Sequence, residues 1–286
     1  MIAMQRDETD ADEGLAARFF RDGFCFPLSV MSAEAAARYR RTLEKLEVVA
    51  EGSRLGNKAQ LNFPHVIFRF ADEIVRRPAL LDAVEAILGP DILVWGATFF
   101  IKEPQTASYV SWHQDLRYWG LSEPDGLVSA WIALGPVTEA NGCMRFLPGS
   151  HRGPLLAHRD SFDEANFLTR GQEVEAEVDE GAVVPVELAP GQASFHHGKL
   201  LHASGPNRSD ARRIGLVVNY IAPQMRQTVA GEDYAMLVRG QDRFGHFQAV
   251  PPPQEDLSAE ALAWHARILA AQNEALYQDL PTARRA

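Results

Sequence analysis

His113 and Asp115 stand two residues apart in Trp112-His113-Gln114-Asp115, and His202 lies far downstream in Leu201-His202-Ala203-Ser204-Gly205-Pro206-Asn207. On an extended strand, a spacing of two turns both side chains to one face, one pleat apart, so that both can grip one metal ion. Two imidazoles and one carboxylate on a single face of an octahedron, with three positions left open, are the donor set of non-haem Fe(II) oxygenases. The open positions accept a co-substrate and oxygen. A co-substrate needs an anchor, and Arg213, eleven residues after His202, can serve. Its planar guanidinium matches a carboxylate with two parallel hydrogen bonds, which the point charge of a lysine cannot do. Arg212 is the alternative anchor, but strand alternation sends neighbouring residues to opposite faces, so only one of the two looks inward.

The chain holds nine histidines, and any single one is more often a hydrogen-bonded structural residue than a ligand. His196 and His197 compete with His202 for the third ligand position, yet neither directly precedes the Ser-x-Pro-Asn pattern as His202 does. His202 is therefore assigned, with His197 expected behind the ligands, where it could orient what they bind.

Several ordered blocks extend this pattern: the run from Trp112 to Trp119, Trp131-Ile132-Ala133-Leu134, Asn141-Gly142-Cys143-Met144 leading to Pro148-Gly149-Ser150-His151, and His202-x-Ser204-x-Pro206-Asn207 followed by Arg213. Together they resemble the phytanoyl-CoA dioxygenase family, and Val238-Arg239-Gly240 through Phe247 is similar to its small bacterial members. The resemblance implies a double-stranded β-helix, or jelly roll, that uses Fe(II), 2-oxoglutarate and O2 to hydroxylate an unactivated C–H bond, releasing succinate and CO2. It makes His113, Asp115 and His202 the iron ligands and Arg213 the partner of the distal 2-oxoglutarate carboxylate. Ser204, by hydrogen bonding, Trp131, by packing, and Lys102, on the strand before the iron motif, match further co-substrate positions. Related halogenases carry Ala where Asp115 stands, so the carboxylate favours hydroxylation over halogenation. The competing class is a non-catalytic metal- or metabolite-binding jelly roll, whose cheapest signature would be loss of a ligand or of the anchor.

Arg117, Tyr118 and Trp119 follow the iron motif directly and are the candidates for substrate contact, against the alternative of a solvent-facing loop anchored by its aromatics. Gln114 lies between two ligands on the opposite strand face and is expected to bond within the protein. Asn141-Gly142 reads as a hairpin turn.

The elements that must position these groups fall into three stretches of one domain. Residues 1–90 read mainly as helices: Ser32 can cap one in which Ala36, Tyr39, Leu43 and Leu46 form a stripe, and Pro78 can begin another that Gly89-Pro90 ends. From 91 to 225 β-branched and aromatic runs at 91–101, 127–134, 183–188, 193–197 and 212–221 alternate with turn residues, which suggests a sandwich or barrel. Within it, 153–180 reads as a lid insertion with few strand signals. Residues 226–286 form an extension, with a helix over 258–278 whose inner side carries Ala261, Leu262, Ile268, Leu269 and Leu276.

A net charge of −10 argues against nucleic acid, which is bound by lysines and arginines neutralising phosphates. The acidic start lacks the regions of a signal peptide, no apolar run of about 18 residues is present, and Cys25 and Cys143 do not make a disulfide framework. The expectation is a cytoplasmic monomer or homodimer acting on a small molecule, with buried reduced thiols and no membrane partner.

Overall fold

The computed structural model describes residues 13–50, 56–57, 60–122 and 124–277. Among these, the main sheet has nine strands, running in order through Phe24–Ser29, Gln192–His196, Leu127–Ala133, Arg213–Ile221, Ile92–Lys102, Tyr234–Arg239 and Gln248–Ala249, with Gly56–Asn57 and Gln60–Asn62 added at the side of Ile92–Lys102. A four-stranded sheet of Val184–Val186, Met144–Phe146, His202–Ser204 and Val110–His113 completes a double-stranded β-helix.

Strand alternation decides what each face of the large sheet does. Along Arg213–Ile221, Ile214, Leu216, Val218 and Tyr220 enter the hydrophobic core, while Arg213, Val217 and Asn219 face a cavity. Its neighbours obey the same rule: Ile132 and Ala130 go to the core and Trp131 to the cavity, and Ile101 and Phe99 to the core and Phe100 and Thr98 to the cavity. A fully buried residue such as Leu216 stabilises this face enough that truncation to Ala would cost about 2–5 kcal/mol.

Helices cover the core face. Ala33–Ala50 begins after Ser32, whose Oγ accepts from Ala35 N at 3.2 Å, and buries Ala36, Tyr39 and Leu43. Pro78–Leu88 buries Leu80, Leu81 and Val84 and ends at Gly89 with φ +88°. Two expectations need correction. The first ninety residues also supply an edge strand, Phe24–Ser29, paired on one side only with Gln192–His196; Pro27 obscured it, because proline fits only where no ladder donor is needed. Residues 153–180 contain the antiparallel pair His158–Asp160 and Gln172–Val174.

The C-terminal helix spans Ala259–Tyr277 and buries Ala261 and Ile268, but Leu262 is exposed rather than inward, and Leu269 and Leu276 face the cavity. Tyr234–Arg239 joins the main sheet beside Ile92–Lys102. Cys25 and Cys143 are free and buried. Among the described residues, no helix is long and apolar enough to cross a membrane.

Candidate metal centre

His113 and His202 are cross-strand partners, so the sheet register itself brings the two imidazoles together, with ring centroids 4.1 Å apart. Asp115 arrives differently from the expected strand pairing. The strand stops at His113, and Asp115 has helical backbone angles at the start of the turn Leu116–Trp119. A bend, rather than a shared pleat, therefore turns its carboxylate back toward the histidines. One ligand atom from each of the three residues lies within 4.8 Å of the others.

The protonation pattern suits coordination. Nδ1 of His113 faces the Ser111 carbonyl at 2.8 Å and Nδ1 of His202 the Leu200 carbonyl at 2.9 Å, which fixes the proton on Nδ1 and frees both Nε2 lone pairs. Burial, reinforced by the neighbouring His113, holds His202 well below the ordinary histidine range and hence neutral. Burial opposes the charge of Asp115, but the polar surroundings made by the His202, His113 and His196 imidazoles outweigh it and keep the carboxyl below the usual range. A neutral imidazole and an ionised carboxylate are the forms that bind metal.

The other end of the cavity is cationic. Arg213 begins its strand opposite Lys102, and both are buried. Its Nη1 donates to the Gly142 carbonyl at 2.7 Å, its guanidinium lies 5.2 Å above the Trp131 ring, and its Nε has no partner. Burial lowers Arg213 to about 10, which leaves it charged at neutral pH. Lys102 is pushed down to about 6 by burial and then by Arg213. It donates to Ser204 Oγ at 2.7 Å and to the Gly205 carbonyl, and stands behind Ser204 rather than on the cavity wall. Arg212 points outward to Glu47 and Glu103, as strand alternation requires.

Loops set this end. Asn141-Gly142 is not a hairpin turn but the end of a single 3-10 turn, capped reciprocally by Thr138 and Asn141. Gly142, at φ +77°, lets the chain pass so close that a Cβ would lie 2.3 Å from the Gly205 carbonyl. Asn207 is structural, donating to the carbonyls of Lys102 at 3.0 Å and Ala211 at 2.8 Å. Trp131 lies across Gly215, where a Cβ would meet its ring at 2.0 Å.

Of the three substrate candidates, Tyr118 and Trp119 line the cavity, Trp119 packing on Trp95 at 5.1 Å. Arg117 is exposed and does not, because the turn that begins at Asp115 rotates it outward. Gln114 is buried and donates to the Lys199 carbonyl at 2.8 Å. His197 faces away from the ligands, toward Asp125 at 3.0 Å, and it is His196 that stands against Asp115. The cavity, about 250 Å³, is further walled by Phe63, Phe100, Phe167 and Leu168 and by Leu269, Gln272 and Asn273 of the C-terminal helix, none of which the sequence motifs identify.

Comparison with known proteins adds a family. The family model described as phytanoyl-CoA dioxygenase matches residues 19–215. A probable alpha-ketoglutarate-dependent hypophosphite dioxygenase of Stutzerimonas stutzeri is 30% identical over 68% of this chain and 73% of its own length. Two structures of the non-heme monooxygenase ThoJ superpose, the apo form with TM-score 0.83 at 35% identity over 93% of this chain and 98% of that one, and a nickel complex with TM-score 0.77 at 33% identity over 93% and 99%. The chain spans about half the length of the nematode and bovine phytanoyl-CoA dioxygenases it matches, 52% and 51%.

Proposed function

The chain belongs to the phytanoyl-CoA dioxygenase family, and from that premise we propose that it hydroxylates an unactivated C–H bond of an uncharged small molecule, with Fe(II) held by His113, Asp115 and His202 and 2-oxoglutarate anchored by Arg213. The observation that carries the reading is the pairing of two complementary ends in one cavity: three metal-type donors within 4.8 Å of one another, and a buried arginine whose Nε has no partner. The donor set fits Fe(II), since two imidazoles and one carboxylate leave three positions open. Bound there with 2-oxoglutarate, Fe(II) and O2 supply the oxidising power for the C–H bond, the second oxygen atom leaving in succinate beside CO2.

This chain's residues do the rest. The Ser111 and Leu200 carbonyls hold both imidazoles in the ligating tautomer. Arg213 presents a planar fork for the far carboxylate, with the Trp131 ring packed against it, while Ser204, held by Lys102, adds a hydrogen bond. Asp115 fills the coordination position that related halogenases leave to a halide, which favours hydroxylation.

The substrate wall supports the word uncharged. Trp95, Phe100, Tyr118, Trp119 and Leu276 offer apolar surface, and Asn219, Gln272 and Asn273 offer amides. Among the described residues, no lysine, arginine, aspartate or glutamate lines it apart from Asp115 and Arg213. A buried anion needs a paired cation, so the hypophosphite named for one relative and the coenzyme A phosphates of others are poor matches. Two buried free thiols accord with a reducing, cytoplasmic setting.

The test is to mix protein, Fe(II) and 2-oxoglutarate without oxygen and record visible absorption. A weak metal-to-ligand charge-transfer band, lost in His113→Ala and His202→Ala, is expected. Its absence from folded, metal-loaded protein would favour a binding module without catalysis. In succinate-release assays, hypophosphite and phytanoyl-CoA should give no stimulation, and stimulation by either would overturn the uncharged substrate class.

A further inference from the structure

His196 is a fourth imidazole at the centre, and neither the ligand set nor the anchor uses it. It ends the strand Gln192–His196, is 2% exposed and lines the same cavity as the ligands. Its ring centroid lies 4.6 Å from that of His202 and 5.3 Å from that of Phe146. Its Nε2 stands 3.5 Å from Oδ2 of Asp115. Ser129, its cross-strand partner, lies 3.4 Å from the same oxygen, but its single hydroxyl proton goes to Oδ1 of Asn219 at 3.0 Å. Oδ1 faces the other way, 3.3 Å from Nε2 of His113 and 3.8 Å from Nε2 of His202. The two carboxylate oxygens thus have separate surroundings, one among the nitrogens of His113 and His202 and one facing His196.

The tautomer of His196 follows from its burial. Nδ1 is buried and has no hydrogen-bond partner. A proton there would be an orphaned buried N–H, which proteins avoid more strictly than an underused acceptor. The proton therefore sits on Nε2, aimed at Oδ2. We propose that His196 is a positioning residue: it clamps Oδ2 of Asp115, so that only Oδ1 turns to the metal and the carboxylate binds through one oxygen. Without the clamp, the carboxylate can swing to present both oxygens and close one of the three open positions. This rests on the reading of His113, Asp115 and His202 as the metal centre.

Co(II) titrated into the full chain, followed by calorimetry and by its ligand-field absorption, tests the clamp without turnover. His196→Phe keeps a flat ring and removes the donor; Co(II) affinity is expected to fall by about 10- to 100-fold, with an altered band. His196→Gln returns an N–H at similar reach and should recover affinity and band to within about threefold of the parent, a contrast that loss of packing alone would not produce. Equal affinity and band in His196→Phe and parent, or equal damage from Phe and Gln, overturns the clamp. Ser129→Ala leaves the histidine in place and removes a hydroxyl whose proton goes to Asn219, so it is expected to change Co(II) affinity by less than about threefold; a loss there as large as that in His196→Phe overturns the assignment of the clamp to His196. Parent protein that binds no Co(II) overturns the metal-centre reading and this inference with it, whereas normal parent binding with donor-blind variants overturns only the role of His196.

Discussion

The two ends of the cavity are built by different means. The acceptor end, His113, Asp115 and His202, is assembled from the last residue of one short strand, a turn, and the first residue of another. The donor end, Arg213 and Lys102, sits where two of the longest strands meet in register, backed by Trp131 from a third. A metal draws flexible ligands into its own geometry, so short elements suffice there. A carboxylate recognised by a planar fork gives no such help, and its anchor depends on a stiff sheet that fixes direction beforehand.

Breaking the acceptor end should have the largest effect. Asp115→Ala is expected to abolish hydroxylation and weaken metal binding; a variant that turns over at the parent rate would refute its ligand role. At the donor end, Arg213→Lys keeps the charge but loses the fork. It should raise the KM for 2-oxoglutarate by about 10- to 100-fold, the equivalent of a charged hydrogen bond worth about 1.5–3 kcal/mol, with a smaller change in kcat. Equal losses in Arg213→Lys and Arg212→Lys would erase the contrast between the inward and outward arginines.

Lys102 sharpens the comparison through pH. Held at about 6 instead of its ordinary 10.5, it lacks most of its proton at pH 8 in the ligand-free protein. A carboxylate bound at Arg213 favours the charged amine and raises its pKa. Binding of 2-oxoglutarate should therefore take up a fraction of a proton, and its affinity should decline as pH rises above about 6. Calorimetry in buffers of different ionisation enthalpy reads this directly, and zero uptake at pH 8 would detach Lys102 from the anchor. The sign for folding is separate. Between about 6 and 10.5 the unfolded chain holds the proton that buried Lys102 has lost, so this group makes ligand-free protein more stable as pH rises through that window. The smallest effect is expected for Arg117→Ala. Because Arg117 is exposed and off the wall, KM for substrate should change by less than about twofold, and surface substitutions of this kind cost within about 0.5 kcal/mol of stability.

The long strands were legible because they are runs of β-branched and aromatic residues: the expected 91–101 and 212–221 lie within a residue of Ile92–Lys102 and Arg213–Ile221. The His-x-Asp spacing led to the right cluster by a wrong local geometry, since a helical backbone at Asp115 achieves what a pleat was expected to do. The same turn explains why Arg117 left the site while Tyr118 and Trp119 stayed. His196 and His197 were indistinguishable from composition, and only the pairing of Gln192–His196 with Leu127–Ala133 sets which one meets Asp115. The amphipathic pattern of Ala259–Tyr277 announced a packed helix, but no local pattern could state that Leu269, Gln272, Asn273 and Leu276 would meet a cavity whose other walls come from residues between Asn62 and Asn219.

That helix gives the cavity one wall that is built independently of the sheet. Its wall residues belong to no strand that carries the three ligands or Arg213. Side chains on this wall can be exchanged one at a time while the strands that hold the three ligands and Arg213 stay as they are, so the volume and polarity of the chamber can drift without disturbing its fixed chemistry.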